Sequence, residues 1–171
     1  MGGTRLLLRS VAVLMAAAGL TVVPAAQSAR AQPPGFPDLD ALIEAPADLD
    51  FSRPDKSADG YAFFRTPDGL DCMVGSLTRC SGNLPGLPAG EFGACAVVLQ
   101  THQEATRGEP FRFHTSEQGC RPSADQLLAV GQKATFTTHG VTTCVVGAER
   151  LTACTNGDHG FVLQPSGSWV F

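Results

Sequence analysis

From Tyr61 onward the chain alternates short runs of β-branched or aromatic residues with turn-forming Gly, Pro, Asn, Asp and Ser. This grammar predicts strands, because a helix would repeat its apolar positions every three or four residues over a longer stretch. The runs fall at 61–65, 70–74, around Cys80, and at 95–101, 110–114, 133–137, 141–146, 151–155, 161–164 and 168–171. Between the first two, Thr66-Pro67-Asp68-Gly69 fits a type I turn, with Pro at its second position and Gly at its fourth. In Pro110 to His114, Phe111 and Phe113 share one face and Arg112 and His114 the other, so the phenylalanines are assigned to the core. Ser123 to Gly131 has a capping residue in front and a glycine behind, which predicts a short helical turn. Trp169-Val170-Phe171 is apolar enough to be expected paired and buried. About nine or ten short strands separated by turn signals predict an all-β fold, a small antiparallel sandwich or barrel.

The pattern also repeats itself. FRTPDGLDCMVGS with LTRCS, from Phe64 to Ser81, is echoed by FTTHGVTTCVVGAERLTACT, from Phe136 to Thr155. Each copy carries Phe, a turn glycine, Cys, an apolar pair ending in Val, Gly, Leu-Thr and a second Cys. The six cysteines all lie between 72 and 154, and six allow 15 pairings that sequence alone does not separate. If each copy is a hairpin, the echo favours Cys72–Cys80 and Cys144–Cys154, which leaves Cys95–Cys120. Beyond the first copy, Gly82 to Gly93 is rich in Gly and Pro, cannot be a central strand, and reads as an exposed loop.

The first 60 residues follow a different pattern. Arg5 and Arg9 precede a continuous apolar and small-residue run from Val11 to Val23, and Ala29-Arg30-Ala31 offers a small-x-small cleavage site. This predicts a secretory signal peptide over 1–31, its apolar run being about 13 residues where a membrane span takes about 18 or more. No stable membrane insertion is expected once the leader is removed, and the predicted location is secreted or associated with the cell envelope. An even number of cysteines in an exported chain is expected to form disulfides and not metal sites.

Residues 32–60 are rich in Pro, Ala and Asp, contain nothing resembling a strand, and read as an acidic, flexible lead-in to a domain at 61–171. Within it, Leu39, Leu42 and Ile43 form one helical stripe, with Asp38 as a possible N-cap and Pro46 as a stop, so a short docked helix is possible.

Charge narrows the partners. Removing the leader takes away Arg5, Arg9 and Arg30 and no acid, moving the formal net charge from −4 to −7. Nucleic acid is thereby an unexpected partner.

Chemistry-bearing residues are few. Asn156, Asp158 and His159, in the turn Asn156-Gly157-Asp158-His159-Gly160, are the densest polar cluster and the candidate binding site. Asn-Gly is also an ordinary hairpin signal that needs no ligand to explain it. No nucleophile elbow is present, so a hydrolase using His159 with Asp158 is the alternative reading. His102, Glu104 and His114 lack zinc-site spacing, and the acids from Asp38 to Asp50 lack that of a calcium loop. No catalytic residue, metal or cofactor is assigned.

Phe64, Thr66, Pro67, Gly69 and Cys72 at the opening, Leu128, Gly131 and Gln132 in the middle, and Ala153, Cys154, Thr155, Asn156, His159, Gly160 and Phe161 at the close together form a pattern. It resembles an uncharacterised family of small exported domains of high-GC Gram-positive bacteria, with Ala153 standing where that family usually has threonine. The resemblance covers about 61–171. It implies export and three disulfides and carries no activity with it. The Gly82 to Gly93 loop and the acidic lead-in lie outside the shared pattern, so a binding role toward an envelope or extracellular protein or glycan is expected to reside in such segments.

Overall fold

A computed structural model describes residues 35–46, 61–75, 77–88, 90–93, 95–100, 110–116, 120, 126–137 and 140–171. Its strands are β1 (Ile43–Glu44), β2 (Ala62–Arg65), β3 (Asp71–Val74), β4 (Arg79–Gly82), β5 (Ala96–Gln100), β6 (Phe111–Thr115), β7 (Gln132–Phe136), β8 (Thr142–Val146), β9 (Thr152–Asn156), β10 (His159–Leu163) and β11 (Trp169–Val170). They form a five-stranded sheet in the order β2-β3-β4-β5-β6 and a six-stranded sheet in the order β1-β7-β8-β9-β10-β11. Strand order follows chain order within each run, so β2 to β6 and β7 to β11 are two antiparallel meanders. The expected all-β fold is thus a two-sheet sandwich.

Alternation explains which side of each strand is inside. Phe64, Cys72, Val74, Cys80, Ala96, Val98 and Phe111 from the first sheet meet Ala134, Cys144, Val146, Cys154, Phe161 and Leu163 from the second in one core. Phe111 meets Phe161 edge-on across it, with ring centroids 5.2 Å apart. The two phenylalanines that open the echoed segments meet as well, Phe64 and Phe136 stacking at 6.3 Å and 6°.

The echo marks the first three strands of each meander. In both, the second and third strands place their cysteines directly opposite, Cys72 against Cys80 and Cys144 against Cys154, with Cα atoms 4.1 Å apart in each pair. Pairing of the first two strands differs by two residues. Phe64 faces Cys72, whereas in the second copy Ala134 faces Cys144 and Phe136 faces Thr142. The third disulfide is Cys95–Cys120, and the chain has no free cysteine. In the chain-entropy picture its 25-residue separation is worth about 3.5 kcal/mol, against about 2.5 kcal/mol for the 8-residue separation of Cys72 and Cys80.

Three segments differ from the sequence reading. The lead-in contributes a strand: β1 pairs in parallel with β7, Ile43 opposite Gln132 and Glu44 opposite Lys133. Ahead of it, only Leu39–Ala41 is helical, a single 3-10 turn whose N-cap Asp38 accepts from the Asp40 N–H. Two residues of strand carry no periodicity, so β1 leaves no sign in the sequence. The segment is held by a second apolar cluster on the other face of the six-stranded sheet, where Phe36, Leu39 and Leu42 cover Val145, Ala153 and Val162 beside Leu151, Trp169 and Phe171. Phe36 meets Phe171 edge-on at 5.8 Å. Lys133 Nζ donates to the Leu39 carbonyl at 2.7 Å, and the Thr135 N–H to Glu44 Oε1 at 3.1 Å. Trp169, Val170 and Phe171 are paired as expected but remain half-buried: Trp169 and Phe171 belong to this thin outer layer, while Val170 packs against the main core.

The Gly82 to Gly93 loop is only partly exposed. Leu84 and Pro85 are buried, and Leu87 and Phe92 pack on the main core. Ser168 Oγ donates to the Pro85 carbonyl, and Gly86 takes φ 69° against the β10–β11 hairpin. A Cβ there would stand 2.1 Å from the Gln164 carbonyl oxygen. The predicted helical turn fails in the part described: the Leu128 N–H donates to the Arg65 carbonyl, the Arg65 N–H to the Gln126 carbonyl, and Leu127 bridges Arg65 as extended chain. Residues 121–125 lie outside the described set.

Candidate functional site

The polar cluster read from sequence sits on the β9–β10 hairpin. Asn156 and His159 form its last pair, leaving Gly157 and Asp158 as the two loop residues, with Gly157 at φ 64°. Glycine at the first loop position matches a II′-type hairpin, so the Asn-Gly pair straddles the strand end and does not fill the loop. Asn156 is consequently a strand residue, 7% exposed, opposite Thr142 on its other side. Asp158 is exposed and His159 half-buried.

His159 Nδ1 lies 3.2 Å from the Phe171 main-chain oxygen. A main-chain oxygen can only accept, so Nδ1 carries the proton, and the ring helps to seal the hairpin on which Gly160 and Phe171 exchange both main-chain hydrogen bonds. Two serine hydroxyls that a hydrolase could use as nucleophiles are engaged with the main chain: Ser168 Oγ donates to the Pro85 carbonyl and accepts from the Gln164 N–H, and Ser81 Oγ donates to the Asp71 carbonyl. His114 is exposed on the five-stranded sheet opposite Val97. His102 and Glu104 lie outside the described residues. Among the described residues no group of three His, Cys, Asp or Glu side chains is placed to hold a metal ion.

A different cluster has the form of a site. A cleft of about 270 Å³ is lined by Pro67, Asp68, Val130, Val146, Gly147 and Arg150. Three segments build it. The turn after β2 closes with the Gly69 N–H on the Thr66 carbonyl, and the buried Thr66 hydroxyl accepts from the Leu70 N–H while donating to Asp68 Oδ1. Val130 is held at the rim because Gly131, at φ 84°, donates its N–H to the Val146 carbonyl at 2.7 Å. The β8–β9 loop brings Arg150, whose Nε lies 3.4 Å from Asp68 Oδ2 and whose Nη2 lies 3.5 Å from the Asn83 carbonyl oxygen. The ion pair therefore ties the turn of one meander to a loop of the other.

Backbone strain is concentrated at the same place. Glu149 and Arg150 have φ of 55° and 61°, the only described residues other than glycine with positive φ. The Leu151 N–H bonds the Ala148 carbonyl at 3.1 Å around them. A hairpin loop with two left-handed residues ordinarily uses Asn-Gly, and each side chain that lacks this freedom costs on the order of 1 kcal/mol. In the sequence Asp68 is one residue of a type I turn, and Arg150 belongs to no recognisable motif. The available signal was chemical: a hairpin loop whose centre is Glu-Arg and not Asn-Gly.

Comparison with protein-family models, with curated proteins and with solved structures finds no match to this chain.

Proposed function

We propose that this chain is an exported, non-catalytic β-sandwich that works as a binding module in the cell envelope or outside the cell, toward a protein or glycan found there. Three disulfides fit an oxidising compartment, and no helix among the described residues is long and apolar enough to cross a membrane. The leader pattern and the resemblance to exported domains of high-GC Gram-positive bacteria support the same location.

The observation that carries the binding reading is the Asp68–Arg150 cleft. It combines apolar walls with one polar pair, on a loop that retains backbone strain. Such strain persists where surrounding structure holds it, and such places are disproportionately binding sites. His159, the candidate general base, is instead engaged with the main chain of its own hairpin.

The test has two arms. Immobilised oxidised protein is presented with envelope and culture-medium fractions, and a defined protein or glycan should be retained and then rebind as a purified species. The same protein is assayed on fluorogenic ester, peptide and glycan substrates. Turnover that disappears in His159→Ala, with an unchanged melting temperature, would establish the hydrolase reading in place of this one.

A further inference from the structure

We propose that the Asp68–Arg150 cleft binds the carboxylate of a compact apolar ligand about the size of one amino-acid residue. This deepens the binding-module reading and rests on it.

The charged side selects the ligand's head. A guanidinium offers five N–H donors in a planar fork suited to two-oxygen acceptors. In Arg150 the two contacts made, at 3.4 and 3.5 Å, lie beyond the usual 2.7–3.2 Å of a good N–H···O bond. Its side chain is 45% exposed, whereas that of Asp68 is 13% exposed and also accepts from Thr66. Asp68 is thus the fixed member, and Arg150 has donors to spare for an incoming acceptor. Asp68 also sets a limit on charge. A carboxylate carries one negative charge, whereas a dianionic phosphate would meet stronger repulsion from Asp68 at the same distance.

The remaining lining selects the tail. Pro67, Val130 and Val146 are apolar, and Gly147 presents no side chain. Val130 is 55% exposed, an apolar surface that a ligand would cover. A volume near 270 Å³ lies just below the usual small-molecule range of about 300–1,000 Å³, which favours a ligand of few heavy atoms. The strained Glu149-Arg150 backbone supplies placement, because relaxing those residues would carry the guanidinium away from Asp68.

The chemistry is shared by a free short-chain carboxylic acid and by the carboxy-terminal residue of a peptide. The probes are therefore 3-methylbutanoate, N-acetyl-leucine, and the neutral amides of both, titrated into the oxidised protein and followed by backbone amide chemical shifts. A carboxylate should saturate with a Kd on the order of 1 mM, moving Asp68, Val130, Gly147 and Arg150, with each amide at least about tenfold weaker. Stronger binding of N-acetyl-leucine than of 3-methylbutanoate identifies the peptide terminus, and the reverse identifies the free acid. Arg150→Gln should weaken the carboxylates to the level of the amides, while His114→Ala, on the exposed face of the five-stranded sheet, leaves them unchanged.

Equal affinity for acid and amide in the unmodified protein overturns the proposal without any variant needing to fold. So does a shift pattern centred away from the cleft, or an absence of shifts. Retention of an envelope or medium component by protein that ignores all four probes would reject this ligand class while leaving the binding-module reading in place.

Discussion

Replacing Phe36 by alanine tests whether the segment ahead of β1 is part of the folded structure. Phe36 is 9% exposed, covers Val145, Ala153 and Val162 with Leu39 and Leu42, and meets Phe171 edge-on. Truncating a fully buried phenylalanine costs about 3–5 kcal/mol, of which an aromatic pair accounts for about 1 kcal/mol. Phe36 sits in a thin outer layer that can partly close over the gap, which places the expected loss at the lower end, about 3 kcal/mol. With a urea m-value of about 2 kcal/mol/M, the unfolding midpoint should fall by roughly 1.5 M. Ile43, 73% exposed on β1, supplies the control, and Ile43→Ala should move the midpoint by no more than about 0.3 M. Equal, small shifts for both variants, at unchanged m-value, would refute the docking of this segment.

Other consequences are open to direct measurement. Under mild reductant with alkylation and peptide mapping, Cys95–Cys120 should open first, because Cys120 is exposed while both cysteines of the other two bridges are at most 1% exposed; earlier labelling of Cys72 or Cys144 would contradict this. Gly86→Ala should destabilise by about 2–5 kcal/mol, combining the clash with the Gln164 carbonyl and left-handed strain, whereas Gly90→Ala, with open space around it and φ 82°, should cost only about 1–2 kcal/mol. Equal melting-temperature losses would show that the Gly82 to Gly93 loop is not pinned. Glu149→Gly should stabilise by about 0.5–1 kcal/mol, seen as a rise in melting temperature of roughly 1–4 °C, and a fall would show that φ 55° costs nothing there.

Most of the sandwich could be read because half-buried strands state their inner face every second residue. Phe111 against Arg112, and Cys144 and Val146 against Thr143, assign their sides without reference to the rest of the molecule. The cysteine pairing was equally legible, since the echo set two pairs within hairpins and left the third by elimination. The segment from Gly35 to Glu44 was illegible for a physical reason. Its apolar residues, Phe36, Leu39 and Leu42, bury through tertiary contact with an outer sheet face and follow neither the strand period nor a full helical one. The cleft was hidden differently. Asp68 and Arg150 are 82 residues apart, and each alone is an ordinary polar turn residue. Asn156, Asp158 and His159 did come out adjacent, but only because they fall within four successive positions of one hairpin.

The pairing of β1 with β7 has a kinetic side. Every other strand pair joins neighbours in the sequence, so each meander can zip up from its own turns with short loops to close. Ile43 reaches Gln132 only across most of the chain, and it meets a sheet that must already exist to receive it. If that pairing forms after the rate-limiting barrier and breaks before it on the way out, its loss speeds unfolding and leaves the folding rate nearly unchanged, which a comparison of the two rates in Phe36→Ala tests. The ten-residue strap ahead of the first hairpin is then expected to have little say in how fast the sandwich assembles and a large one in how long it stays assembled.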